Sequence, residues 1–296
     1  MPVSSIRTID GHQLRLGTVD KPLYPETGFT RGDVIAYYEA VAPVILPQLR
    51  NRVVTRILYP NGTGGERVYQ RNVPKSAPEW IRRVTISASP GTGKAAKQVT
   101  YLLVDNVAGL IWSANQAALE LHTPQWHVGP RGGIGKPDRL VIDLDPGEGL
   151  DLDDVAAVAR IVADRLRTEG YAPVPVTSGS KGIHLYAPLD GRKSSLAVHA
   201  MVRDVARDLA ERHPDRIVAT AAKDERGGRV FLDWSQNHPA RSTATPYSLR
   251  GKVSPTVAAP RDWDEIGPGL TQLSPGEVLA RLERDGDLLA ASGLAK

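Results

Sequence analysis

Asp143 and Asp145 stand either side of Leu144 in the run Arg139-Leu-Val-Ile-Asp-Leu-Asp-Pro-Gly-Glu-Gly149. Leu140, Val141, Ile142 and Leu144 are apolar and branched, the composition of a buried strand. Side chains alternate faces along a strand, so both acids project from one face, with Cα atoms roughly 6–7 Å apart. Anions that close, half withdrawn from water, raise each other's pKa unless a cation lies between them. A divalent metal is the chemistry such a pair would serve. Two solvated carboxylates, one capping the following helix, would have the same spacing. A third acid, Asp233, ends the apolar run Val230-Phe231-Leu232. It suits a metal site, or hydrogen bonding to the backbone of Trp234 or to Asn237.

Two further stretches could handle phosphate. Ser178-Gly-Ser-Lys-Gly182 combines two glycines, two hydroxyls and Lys181, the composition of an anion nest, or of a tight turn with a solvated lysine. The stretch Ala88–Lys97 is rich in Gly, Ser and Thr and carries Lys94 and Lys97, so it reads as a protruding cationic loop. Its Gly91-Thr-Gly-Lys94 lacks the leading glycine and the following Ser or Thr of a P-loop. The loop is either solvated or laid along a nucleic-acid backbone. His122 precedes Pro124, which forbids helix, so a helix over Gly109–Leu121 would leave it just past the C-terminus, as a cap or half-buried polar group.

The elements that position these groups can be read from periodicity. Thr30 and Asp33 form a capping box for a helix running to Leu49. Strands are expected at Val53–Tyr59, and as a hairpin at Val84–Ser87 and Val99–Val104. Gly129–Pro137 is a Gly/Pro/Arg-rich connector. From Arg139 the order is strand, helix (Asp151–Thr168), strands (Pro173–Thr177, Ile183–Ala187), helix (Ser194–Arg212) and strands (Ile217–Thr220, Arg229–Asp233). This is the split βαβ, ferredoxin-like order: an antiparallel sheet with helices on one face and the other open for chemistry. Ser274 to Glu277 caps a last helix. The expected class is α+β, one domain over 1–296, with a soft internal boundary between an N-terminal α/β module (1–130) and a catalytic module (138–296).

The chain has 296 residues, 41% hydrophobic and 24% charged, as in ordinary globular proteins. It has no cysteine, which excludes disulfides, thiolate metal sites and a cysteine nucleophile. No apolar run suits a transmembrane helix and Met1-Pro-Val-Ser-Ser is no signal peptide, so the cytoplasm is the expected location and no membrane partner is expected. A net charge of +4 permits a polyanionic partner. Together, oxygen-only ligands favouring Mg²⁺ or Mn²⁺, with Lys181 and Arg250 to neutralise a triphosphate, point to two-metal nucleotidyl transfer. Two rivals share these features: a metal-dependent phosphodiesterase or nuclease, and a non-catalytic DNA-end-binding module.

The motifs Asp20-Lys-Pro-Leu-Tyr-Pro25, Ala118-Leu-Glu-Leu-His-Thr-Pro-Gln-Trp126 and Asp143-Leu-Asp-Pro-Gly-Glu-Gly149 recur in a known family. So do Thr177-Ser-Gly-Ser-Lys-Gly-Ile-His-Leu-Tyr186, Asp233-Trp-Ser-Gln-Asn237 and Pro246-Tyr-Ser-Leu-Arg-Gly251. With them the chain resembles the archaeo-eukaryotic primase superfamily, in particular the polymerase domain of bacterial DNA ligase D. The resemblance implies a primase-polymerase fold with a ferredoxin/RRM-like catalytic sheet, and extension of DNA ends or filling of gaps in non-homologous end joining. It implies two ions, Mn²⁺ or Mg²⁺, held by Asp143, Asp145 and Asp233. It places Ser178, Lys181, His184 and Arg250 on the triphosphate and His122 at the incoming NTP or dNTP. It sets Lys21, Gln236, Lys223 and Arg226 along the nucleotide or nucleic-acid side, Arg56 with them, and Tyr69 as what remains of an aromatic pair stacking on the template. Ligase-fused members carry a basic pair for a gap's 5′-phosphate where Ile57 and Leu58 stand, which argues against that grip here. Without a Lys-x-Asp-Gly ligase signature, a free-standing paralogue or isolated domain is expected, nucleoid-associated during repair, with a ligase and Ku as possible partners.

Overall fold

A hairpin of β1 (Ile6–Ile9) and β2 (His12–Arg15) comes first in the computed structural model, which describes residues 5–87, 98–222, 224 and 226–294. Asp10 and Gly11 turn it with φ of 48° and 76°, the left-handed pair of a tight hairpin. β3 (Pro22–Tyr24) pairs with β4 (Phe29–Thr30). Thr30 and Asp33 then close the expected capping box on α1 (Arg31–Ala40). The single helix expected to Leu49 is two, because Pro43 is tolerated only in a first turn: the chain breaks at Val41 and restarts as α2 (Ala42–Leu49).

The first large sheet runs β17 (Thr243–Ala244), β9 (Ala118–Thr123), β5 (Val53–Leu58), β8 (Gln98–Leu103), β7 (Arg83–Ser87). Its centre is β5 (Val53–Leu58), buried at all six positions, with β6 (Val68–Gln70) also paired to it. β7 (Arg83–Ser87) and β8 (Gln98–Leu103) are the expected hairpin, with Ile86 opposite Val99. The loop carrying Lys94 and Lys97 lies outside the described residues. α3 (Val107–Asn115) ends earlier than expected. Ala117, at φ 58°, reverses the chain, and Ala118–Thr123 becomes β9, between β5 and β17. His122 is therefore a strand residue opposite Thr55, not a helix terminus. The expected connector likewise folds, as a hairpin of β10 (Trp126–Val128) and β11 (Ile134–Pro137).

The second sheet has the order β15 (Ile217–Val218), β16 (Val230–Asp233), β12 (Arg139–Pro146), β14 (Ile183–Pro188), β13 (Val174–Thr177), β20 (Ala259–Pro260). β12 (Arg139–Pro146) lies between β14 (Ile183–Pro188) and β16 (Val230–Asp233), antiparallel to both. β13 (Val174–Thr177) flanks β14, and the short β15 (Ile217–Val218) runs parallel to β16. α4 (Leu152–Thr168), capped by Asp151 and Asp154, and α5 (Ser195–Arg212) cover one face. The split βαβ order read from the sequence is thus present.

Alternation along β12 divides its side chains between two environments. Leu140, Ile142 and Leu144 pack under the helices with Val155, Val162 and Val202. Val141, on the other face, joins the first core with Tyr186, Tyr247 and Val257. Asp143 and Asp145 continue that second face. They lie where the two sheets face each other and the apolar packing gives out.

The soft boundary near residue 130 does not separate the cores. β17 (Thr243–Ala244) returns to the first sheet, β18 (Leu249–Arg250) and β19 (Thr256–Val257) pair with each other, and β20 (Ala259–Pro260) joins β13 in the second. Residues 243–260 therefore span both sheets. α6 (Pro275–Asp285), with its Ser274–Glu277 box, and the short α7 (Leu288–Ala291) follow. Among the described residues no helix is long and apolar enough to cross a membrane.

Candidate active site

Asp143 is opposite Asp233 on one neighbouring strand and His184 on the other. Opposite residues share a face, so these three and Asp145 converge on the open side of β12. His184 Nε2 lies 3.5 Å from Asp143 Oδ1. Burial, then the Asp145 and Asp233 charges, push the Asp143 carboxyl well above the ordinary range. Burial and Asp233 raise Asp145. Burial pulls His184 down to about 3, with Arg250 and His122 adding to it, so it is neutral at ordinary pH. Its Nδ1 is buried with no hydrogen-bond partner among the described residues.

Crowded carboxylates that resist ionisation, beside a neutral imidazole with an orphaned nitrogen, are short of positive charge. By charge and donor type Asp143 and Asp145 fit a divalent ion. Asp233 is differently engaged. Its Oδ1 accepts from Ser235 N at 2.9 Å and its Oδ2 from Gln236 Nε2 at 2.8 Å, closing the 3₁₀ turn Trp234–Asn237. Among the described residues no three acidic or histidine side chains are already gathered as a metal cage. Gln236 thus meets Asp233 directly, and Asn237 holds the turn to β12 through both the N–H and the C=O of Val141, at 2.9 and 2.6 Å.

Across the cleft the organising residue is Glu120, which the sequence reading passed over. On β9 it is only 4% exposed and accepts four hydrogen bonds. Tyr59 Oη and Gly251 N donate to Oε1 at 3.0 Å each. Arg250 Nε donates to Oε2 at 3.1 Å, and His122 Nε2 meets the same oxygen at 2.8 Å. Burial alone would raise this carboxyl; the His122 hydrogen bond and the Arg250 charge outweigh it and hold it below the ordinary range. His122 is lowered by burial, against the pull of Glu120. Arg250 Nη1 also donates to Ser178 O. Tyr24 Oη donates to Arg250 O at 2.9 Å, which gives the Asp20–Pro25 motif a structural reason.

The Ser178–Gly182 turn differs from an open nest. Ser178 Oγ accepts from Ser180 N at 3.2 Å and Gly182 N at 3.1 Å, while Gly179 N donates to Gln272 Oε1 at 2.6 Å. These amides are satisfied within the protein, and Lys181 is the exposed cation at the tip. A Cβ on Gly182 would lie 2.0 Å from Leu144 O, and one on Gly179 2.6 Å from Arg250 Cγ. The glycines let the turn wedge between the acid-bearing strand and Arg250. Lys252, whose ammonium is lowered by partial burial and then by Arg250, senses Arg67 and Lys181 as well, so these cations share one rim.

The remaining expected contacts fall unevenly. Lys21 Nζ donates to Pro60 O at 2.7 Å at the surface. Tyr69 is 58% exposed on β6, with the Arg67 guanidinium 5.2 Å from its ring centroid. Arg226 stacks 3.7 Å over Phe231 and lowers Asp145 through its charge. Lys223 lies outside the described residues. The expectation for Arg56 is corrected. It is 1% exposed, 4.4 Å from the Trp112 ring and bonded to Gln70, because inward positions of β5 face the core, so it presents no charge to a nucleic acid. Ile57 and Leu58 are core residues of the same strand and present no charge.

An open antiparallel sheet with crowded acids beneath a rim of cations is the site of a polymerase-type nucleotidyltransferase. Comparison with known proteins narrows this. The model of the LigD primase-polymerase domain matches residues 30–289. The multifunctional non-homologous end joining DNA repair protein LigD of Mycobacterium tuberculosis is 45% identical over 283 residues, 94% of this chain and 36% of the relative. The LigD of Mycolicibacterium smegmatis is 44% identical over 279 residues, with the same coverage of 94% and 36%. Among solved structures, the polymerase domain from Mycobacterium tuberculosis Ligase D in complex with DNA matches with a TM-score of 0.88 at 44% identity, over 94% of this chain and 97% of that one. The chain belongs to the LigD primase-polymerase family, as its motifs implied. Members are metal-dependent polymerase-type nucleotidyltransferases. The chain spans about a third, 36%, of the length of these curated mycobacterial relatives.

Proposed function

We propose that this chain extends a DNA primer, or fills a short gap at a broken end, with nucleoside triphosphates under template direction, serving non-homologous end joining in the cytoplasm. One observation carries the reading: Asp143, flanked in register by Asp233 and His184 and two residues from Asp145, faces the rim of Arg250, Lys252 and Lys181. Asp143, Asp145 and Asp233 would hold two Mn²⁺ or Mg²⁺ ions. Bound there, the ions would ease deprotonation of the primer 3′-hydroxyl and offset charge on departing pyrophosphate. Arg250, pinned by Glu120 and Ser178 O, meets the polyphosphate preorganised. Lys181 and Lys252 add charge without fixed geometry, and Lys181 raises local nucleotide concentration at the mouth. His122, held by Glu120, borders the incoming nucleotide, and His184 sits behind it at the acids. Gln236, through Asp233, fixes the acid nearest the 3₁₀ turn. Tyr69 offers a stacking face to a template base, and Lys21 and Arg226 lie along the strand. A ligase and Ku are the partners this role requires.

Primer extension with Mn²⁺, comparing NTPs with dNTPs, tests this. Extension that disappears in Asp143→Ala and Asp145→Ala while DNA binding persists is expected. Shortened primer would indicate a phosphodiesterase, and a shifted band without synthesis an end-binding module.

A further inference from the structure

Outside the acid cleft the first sheet carries a second, shallow depression. Thr55, Tyr101 and Trp126 floor it, each less than 10% exposed. Arg71, just past β6, and Arg241, just before β17, form its rim with Ser242. Both arginines are exposed, and among the described residues neither guanidinium has a hydrogen-bond or ion-pair partner. Several arginines elsewhere are paired with acids instead: Arg52 with Asp138, Arg82 with Asp105, Arg165 with Asp208, Arg281 with Glu265. Among the described residues no acid lines the depression. Two uncompensated planar cations, two hydroxyls and aromatic walls are the complement of a phosphodiester with its attached sugar or base.

Its place in the sheet decides what crosses it. Thr55 is opposite His122, and Thr243, next to Ser242, is opposite Thr123. The depression is thus about one strand spacing, roughly 4.8 Å, from the residue bordering the nucleotide. With its cations on an exposed rim and no carboxylate to hold a metal, it suits an extended backbone better than an enclosed triphosphate. We propose that Arg71 and Arg241 form a subsite for a backbone phosphate of the nucleic-acid strand leading out of the cleft. This deepens the polymerase reading and rests on it for the identity of the strand. It adds two residues to the nucleic-acid surface that neither the motifs nor the acid cleft reveal.

The test is Arg71→Gln, Arg241→Gln and the double variant, whose melting temperatures stay at the wild-type value because both side chains are exposed. Binding of a primer–template and of single-stranded DNA is followed by fluorescence anisotropy across a salt series, with and without a 5′-phosphate. Titration of NTP runs alongside. Each substitution is expected to flatten the log–log salt slope by roughly 0.7–0.9, and the double variant by about twice that. The loss should be the same with or without the 5′-phosphate, and nucleotide affinity should not change. An unaltered slope and affinity in the double variant overturns the subsite. So does a loss confined to 5′-phosphorylated DNA, which marks a terminal-phosphate pocket, or one confined to NTP. Wild-type extension is read separately. If the wild type fails to extend while the double variant loses slope, the subsite stands and the polymerase reading falls.

Discussion

Replacing Glu120 by Gln separates two effects that push nucleotide affinity in opposite directions. By charge alone, removing an anion beside Arg250 would leave the arginine more attractive to a triphosphate. By geometry, it removes what aims the guanidinium. Oε1 receives two donors and Oε2 faces Arg250 Nε and His122 Nε2, so a glutamine amide confronts donors with its own N–H whichever way it is turned. At the 3.1 Å separation of Arg250 Nε and Glu120 Oε2, the attraction lost is about 5 kcal/mol gross at an effective dielectric of roughly 20. Most of that is offset by desolvation the pair no longer bears. What remains, one charge-assisted hydrogen bond, is on the order of 1.5–3 kcal/mol. Arg250 would then keep only its bond to Ser178 O, and a freed side chain must be ordered again on binding. Geometry therefore wins, and the Kd for NTP should rise about 10- to 100-fold. Isothermal titration with NTP, DNA anisotropy as control and thermal melting as a fold check measure this. Nucleotide binding as tight as or tighter than wild type, in a folded variant, would show that Glu120 does not position Arg250.

Asp143→Asn should stabilise the metal-free protein while abolishing extension. Because the folded-state pKa of Asp143 is raised, its ionisation costs stability as pH climbs from the unfolded value through the folded one, and Asn removes that cost. Calorimetry at pH 7 in chelator should show a gain of about 2–4 °C per kcal/mol relieved, shrinking toward pH 4, and an unchanged melting temperature refutes the crowding argument. Added Mn²⁺ should raise the wild-type melting temperature, by about 2.7 kcal/mol of stability at 100 times the Kd, and leave an Asp143→Asn/Asp145→Asn variant unmoved. Gly182→Ala, whose Cβ would meet Leu144 O at 2.0 Å, should cost about 1–3 kcal/mol in urea melts, whereas Gly276→Ala, with nothing within 4 Å, should be near neutral.

Legibility followed the length scale of each interaction. The alternation along β12, the capping boxes of α1 and α6, and the split βαβ order depend on residues a few positions apart, and the sequence displays them directly. His122 was misplaced because the alanine-rich stretch before it suits a helix, and only the left-handed turn at Ala117 and pairing to β5 and β17 make it a strand. Arg56 looks like a surface cation until its strand proves central. The Ser178 turn has the composition of a nest, but its own hydroxyl and Gln272 occupy its amides. Glu120 is hard to single out because its partners come from residues 59, 122, 250 and 251. One clue was present: an acid and a histidine two apart in Leu119-Glu-Leu-His122 belong to one strand face if that segment is extended.

Residues 243–260 stitch one sheet to the other, with Arg250 partway along the seam. Widening the gap between the sheets would drag that guanidinium off Ser178 O and Glu120, so a polyphosphate held by Arg250 would also draw the halves together. Hydrogen exchange at Thr243 and Ala259, the two fastening points, should slow when nucleotide is added. A cut beside Val253, 68% exposed at the bend between β18 and β19, would leave each end of the thread sewn to its own sheet and slacken only the grip.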